Sequence, residues 1–323
     1  MTNAIYINEP SKQITYGTAG DDYIYATSGI WFNLDGGAHI YGDYLYLSNP
    51  FSSTTVFDIK AQTIKSGKQT IAKMKNIEGL YLSNQGSDVI VDADKSGLFV
   101  FDTASGDDIY YAGVGNKVYE GNAGFDSILF DKSSKAITVN LTESPLNDLQ
   151  QKITSGDSIY LITHVEKIGG STKNDNITIS TNGYLVDGFK GNDTITGGVN
   201  NDSIGGGAGR DILTGGEGGD VFIFAESGTS NIDTITDFQR GLDKIQMSPS
   251  VFGSLGLITS DNIVNAERAL DGNDFLIIKA DSQGNATLFY DADGSGSRSN
   301  LLIVAKLMGV SALGVEDFWA PPI

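Results

Sequence analysis

From Gly188 to Ile223 the chain repeats itself every nine residues: GFKGNDTIT, GGVNNDSIG, GGAGRDILT, GGEGGDVFI. Asp193, Asp202, Asp211 and Asp220 fall at that spacing, and Ile195, Ile204, Leu213 and Phe222 each follow two residues later. A short unit with one apolar strand residue cannot bury it alone, so such units must stack. Glycine fills 12 of the 36 positions, which permits positive φ and lets backbone carbonyls face inward. Six residues make a turn and three a strand. After each Asp comes one outward residue and then an inward apolar one, as strand alternation requires. Two nonapeptides make one coil, and turns on the same side stack at ~4.8 Å, the strand spacing. Asp supplies a hard oxygen of the kind Ca²⁺ collects in sixes to eights. Stacked without a cation, each carboxylate pair costs on the order of 1 kcal/mol even in water.

Looser copies lie upstream. GSTKNDNIT at 170–178 keeps Asp175 and Ile177 in register, whereas 179–187 has Tyr184 in the Asp position. GTAGDDYIY at 17–25 offers Asp22, SNQGSDVIV at 83–91 offers Asp88, TASGDDIYY at 103–111 offers Asp108, and GNAGFDSIL at 121–129 offers Asp126. AGVGNKVYE at 112–120 has Lys117 where Asp belongs, and the stretch from Asp35 reads as a repeat with a two-residue insertion that puts Asp43 in the Asp role. A lysine or aromatic at that position is expected to replace a calcium rung with an ordinary packed one. Strands are expected over 55–59, 71–82, 136–141 and 158–168.

The tandem nonapeptides resemble the RTX (repeats-in-toxin, hemolysin-type calcium-binding) family of secreted proteins. The resemblance implies an all-β fold: a calcium-binding parallel β-roll or β-solenoid with a C-terminal β capping region. It implies that Asp193, Asp202, Asp211, Asp220, Asp175, Asp22, Asp108 and Asp126 are carboxylate ligands of several Ca²⁺ ions. Gly188, Gly191, Gly197, Gly206, Gly209, Gly215 and Gly218 would shape the turns and offer carbonyls. Phe189 and Asn200 depart from the pattern and put the sites touching their turns in doubt. DVFIFAESGTSNIDTITDFQRGLDKIQM, from Asp220, resembles the segment that closes RTX arrays in serralysin-like proteases and lipases. The last residues, with Asp317, Phe318 and Trp319, are similar to an uncleaved type I secretion signal. Three regions are expected: 1–169, an irregular tyrosine-rich solenoid; 170–223, the regular calcium roll; and 224–323, the cap with its signal. A separate β-sandwich over 1–165 stays open as an alternative.

Composition agrees. Forty acidic against 21 basic residues give a net charge of −19, which argues against nucleic acid or anionic membrane as a partner and suits multivalent cations. There is no cysteine, so neither disulfides nor thiol chemistry is available. Met1 to Gln13 lacks the apolar core of a Sec signal, and the apolar stretch 301–315 is too short to span a bilayer. DADGSG at 291–296 reads as a turn or a minor Ca²⁺ site.

No HExxH or GxSxG occurs, so neither a zinc-protease nor a lipase signature is present. Of two histidines, His164 reads as part of a rung and His39 as exposed. Thirteen of 14 tyrosines precede Leu185, and aromatic faces can stack on sugar rings, although tyrosine also simply suits strands. Tyr110, Tyr111, Lys117 and Tyr119 are the candidate ligand-binding residues. The expectation is a non-catalytic protein of the cell surface or matrix (S-layer component, adhesin or polysaccharide binder), exported by a Gram-negative type I machinery and folding on extracellular Ca²⁺. The alternative is a polysaccharide lyase or epimerase on the tyrosine-rich half.

Overall fold

A computed structural model describes residues 3–7, 14–18, 22–27, 32–35, 44–48, 55–58, 63–66, 69–75, 77, 79–83, 86–92, 99–141, 151–179, 183–226, 230–249, 251–252, 258–270, 272–293 and 301–319. Asp43, His39 and the second half of DADGSG, residues 294–296, lie outside them. Among the described residues the regular elements are strands, apart from two three-residue 3₁₀ turns at Ser260–Asn262 and Val315–Asp317. The chain divides into two compact units: Met1–Ser133 with Pro145–Ile168, and Ser134–Ser144 with Gly169–Ile323.

In the second unit the nine-residue period becomes two parallel ladders. One stacks Asn176–Thr178, Thr194–Thr196 and Ile212–Thr214, with Ile177, Ile195 and Leu213 in register. The other stacks Leu185–Asp187, Ser203–Gly205 and Val221–Phe224, with Val186, Ile204 and Phe222 in register. Partners lie 18 residues apart, so a coil is two nonapeptides. Those six side chains are fully buried, and burying each is worth about 1.5–3 kcal/mol. Tyr184, in the Asp position, is also buried and forms a packed rung.

The roll continues past the last nonapeptide. Asp233–Ile235 pairs with Ile212–Thr214, and Lys244–Met247 pairs with Val221–Phe224. The expected capping hairpin follows. Leu301–Leu307 runs parallel to Asp233–Ile235 and antiparallel to Ala286–Asp291, which pairs in turn with Leu276–Ala280. The chain returns to the roll at Phe318, which bridges to Ile245. Asp317, fully buried, holds this end: its carboxylate accepts from Arg240 Nε, Gly241 N and Gly314 N.

The first unit is also built of parallel ladders, as a solenoid requires and an antiparallel sandwich does not. One ladder runs Asn3–Ile7, Asp22–Thr27, Tyr44–Ser48, Gly79–Ser83, Phe99–Asp102, Lys117–Glu120 and Ser158–Thr163. Its coils are uneven: Asn3 faces Asp22, Tyr44 faces Gly79, and Phe99 faces Lys117, intervals of 19, 35 and 18 residues. Antiparallel strands account for long intervals. Thr63–Ser66 folds back on Thr55–Asp58, and Gln151–Ser155 on Ser158–Thr163.

Candidate metal centre

The aspartates of the repeats form a chain of hydrogen bonds from coil to coil. The backbone N–H of Asp175 donates to Asp193 Oδ1 at 2.7 Å, Asp193 N to Asp211 Oδ1 at 2.7 Å, and Asp211 N to Asp233 Oδ1 at 3.0 Å. On the other side Tyr184 N donates to Asp202 Oδ1, Asp202 N to Asp220 Oδ1, and Asp220 N to Asp243 Oδ1. The first unit repeats the scheme: Asp88 N to Asp108, Asp108 N to Asp126, and Asp126 N to Glu166 Oε2. One carboxylate oxygen of each residue is therefore committed to the stacking of the coils.

The second oxygen divides the aspartates into two classes. Asp202 Oδ2 accepts from Gly198 N, and Asp243 Oδ2 from Gln239 N. Asp175 accepts from Ser171 N and Oγ, and Asp22 from Thr18 N and Oγ1. By contrast, Oδ2 of Asp108, Asp126, Asp193, Asp211 and Asp220 is buried and accepts no hydrogen bond. An ionised oxygen so placed is costly unless something positive meets it.

The glycines show what surrounds these oxygens. A Cβ on Gly188 would run into Gly206 O and Asp193 Oδ2, one on Gly206 into Asp211 Oδ2, and one on Gly215 into Asp220 Oδ2. On Gly121 it would meet His164 O together with Asp126 Oδ2. Gly197 approaches Gly215 O and Asp202 Oδ2 in the same way. Gly191, Gly209 and Gly218 have φ of +137°, +156° and +108°, and a side chain there would strike a carbonyl or backbone of the preceding coil. Of the seven expected glycines, Gly188, Gly191 and Gly197 each lie against both a carbonyl and a carboxylate oxygen. No group of three or more acidic or imidazole side chains gathers among the described residues, so a cation here would take many of its ligands from backbone carbonyls, as Ca²⁺ accepts. The donor set is all oxygen and fits Ca²⁺.

Burial raises the carboxyls of Asp108, Asp126 and Asp193 to about 7, with neighbouring carboxylates adding to the effect. Asp220 rises to about 6 and Asp233 to about 8, again chiefly by burial. Asp211 is raised by the same cause. Without a counter-cation these sites are driven toward their protonated forms.

Residues 163–309 match the family profile described as Peptidase M10 serralysin C terminal. That segment is similar to the C-terminal region of the serralysins, an RTX-type family. Among solved structures, a subunit of the Azotobacter vinelandii mannuronan C5-epimerase is 28% identical, covering 48% of this chain and 92% of its own, with a TM-score of 0.35. A second subunit of that epimerase is 23% identical, covering 47% of this chain and 76% of its own, with a TM-score of 0.24. The extracellular lipase of Serratia marcescens is 16% identical, covering 86% of this chain and 45% of its own, with a TM-score of 0.31. No curated protein matches. No helix among the described residues is long and apolar enough to cross a membrane.

Asp233, Asp243 and Glu166 occupy the Asp position of their coils but lie outside the sequence-derived set. The signal for the first two was the D-x-I pattern at Asp233–Ile235 and Asp243–Ile245. The expected ligand-binding group is not a surface. Tyr110, Lys117 and Tyr119 are buried, and only Tyr111 of the four is partly open. Lys117 Nζ lies 3.4 Å from Asp92 Oδ2 in the interior, and Tyr110 donates to the same carboxylate at 2.9 Å. His164 is exposed just past its strand, at φ +49°.

Proposed function

We propose that this is a secreted RTX protein that binds several Ca²⁺ ions and folds on meeting them outside the cell, serving without catalysis at a cell surface or in a matrix. The observation that carries the reading is the set of five buried carboxylate oxygens, on Asp108, Asp126, Asp193, Asp211 and Asp220, left without a donor, the last four beside glycine turns. Those residues, with the carbonyls of their turns, would hold the ions. Each Ca²⁺ would neutralise stacked carboxylates and tie one turn to the next, and binding free energy would become folding free energy.

Export by a type I machinery of a Gram-negative cell is supported by the serralysin-type match over 163–309. In low cytosolic Ca²⁺ the uncompensated carboxylates would keep the roll open for passage. Far-ultraviolet circular dichroism of the chelator-treated chain tests the folding claim. Added Ca²⁺ should produce the β signal, and a spectrum indifferent to calcium would overturn the reading.

A further inference from the structure

The first unit carries a solvent-facing aromatic row that neither the calcium turns nor the core uses. In register on four adjacent parallel strands stand Tyr6, Tyr25, Tyr46 and Tyr81. Their ring centroids are 5.1, 5.0 and 4.6 Å apart, with planes within 7–21° of parallel. Beside them Tyr23 and Tyr44 stack at 5.6 Å. The strand below has Gly79 opposite Tyr44, and a Cβ there would collide with the Tyr44 ring. Parity explains the face: Tyr23 and Tyr25 flank the buried Ile24, and Tyr44 and Tyr46 flank the buried Leu45.

Stacked rings touch at about 3.5 Å between planes, so centroids ~5 Å apart mean that each ring is offset along its neighbour. Tyr6 is 66% exposed, Tyr23 38% and Tyr25 37%, and Tyr44, Tyr46 and Tyr81 are half-buried. The result is a shingled strip of partial ring faces edged with phenol hydroxyls, repeating at the strand spacing. Burial and neighbouring phenols hold the Tyr81 hydroxyl up at about 12 and raise Tyr46, so these groups remain neutral donors at any ordinary pH.

We infer that this strip is a binding site for a neutral polysaccharide, whose chain runs across the strands with sugar C–H faces on the rings and hydroxyls on the phenols. The length of one extended pyranose unit is of the same order as the ring spacing. Charge decides against a uronate polymer. The row continues from Tyr81 to Asp102 and then Glu120, and the described strip contributes no basic side chain. An anionic chain would lie against like charge. The inference deepens the surface-protein reading and rests on it for its setting, but it is tested separately.

The test is native gel electrophoresis of the full calcium-loaded chain in gels containing hydroxyethylcellulose, hyaluronan or no polymer. Hydroxyethylcellulose should retard the protein and hyaluronan should not. The double variant Y25S/Y46S should bind about tenfold more weakly, while Y25F/Y46F, which keeps the rings, stays within about threefold of the parent. Circular dichroism with and without Ca²⁺ confirms that each variant folds, and by itself reports on the calcium reading. Three results would overturn the inference: equal migration with and without hydroxyethylcellulose, retardation by hyaluronan as strong as by hydroxyethylcellulose, or unchanged binding by the folded serine variant. A parent dimer that becomes a monomer in the serine variant, read by sedimentation velocity, would assign the face to a second copy and overturn it as well.

Discussion

At Asp193 the two carboxylate oxygens have opposite circumstances: Oδ1 accepts the N–H of Asp175, and Oδ2 is buried without a donor beside Gly188 and its carbonyl neighbour, Gly206 O. Asn at this position keeps the Oδ1 bond and the shape, removes the charge, and turns an amide donor toward the waiting carbonyl. Asp193→Asn should therefore weaken calcium binding and yet stabilise the metal-free chain at pH 8 by about 1–2 kcal/mol. Urea midpoints in chelator check this; a variant less stable than the parent would contradict it. The same parity rule settles the aromatic residues. Tyr110 and Tyr119 stand at the apolar eighth position of their nonapeptides and Lys117 at the sixth, the Asp position, so all three turn inward. Their burial was legible in the repeat register; the expectation of a ligand surface weighed residue type over position.

Among the elements, the coils whose period holds were the readable ones. Strands Thr194–Thr196, Ser203–Gly205 and Ile212–Thr214 fall where the nonapeptides put them. The coil after Asp220 takes 23 residues to reach Asp243 instead of 18, and this slip hid two aspartates that the hydrogen bonds reveal. The split into bonded and unbonded Oδ2 atoms was not legible either, because it depends on which turn N–H swings toward the carboxylate. The antiparallel returns at Thr63–Ser66 and Gln151–Ser155 obey no nine-residue repeat, so the repeat register carries no sign of them. At the C-terminal end, one buried carboxylate joins Arg240, Gly241 and Gly314. Asp317→Asn should cost about 1–3 kcal/mol and loosen the buried Phe318 and the half-exposed Trp319 beside it. In a Trp31→Phe background, Trp319 emission should shift to the red; an unchanged spectrum would show that the end is held by other contacts.

For the whole molecule, the charge of −19 describes the metal-free chain, and its consequences depend on pH. The carboxyls of Asp108, Asp126, Asp193, Asp220 and Asp233 are raised to between about 6 and about 8 in the folded state. A raised folded value means that folding favours the protonated form. The associated stability is present below the ordinary carboxylate range and is lost as pH climbs through 6 to 8. The metal-free protein should accordingly be more β-structured at pH 5 than at pH 8.5, and calcium should erase the difference by binding the ionised form. Calcium affinity should fall as pH drops through the same window. Circular dichroism across pH, with and without chelator, reads both trends, and a metal-free chain most structured in alkali would reverse the sign.

The distinction between bonded and unbonded carboxylate oxygens is most directly tested by counting ions. Bound calcium per chain, measured by equilibrium dialysis at pH 8 in millimolar Ca²⁺, should fall by at least two ions in the triple variant D193N/D211N/D220N. It should be nearly unchanged in D175N/D202N/D243N, whose second oxygens already have backbone N–H donors. Equal losses in the two variants, or none in the first, would contradict the account.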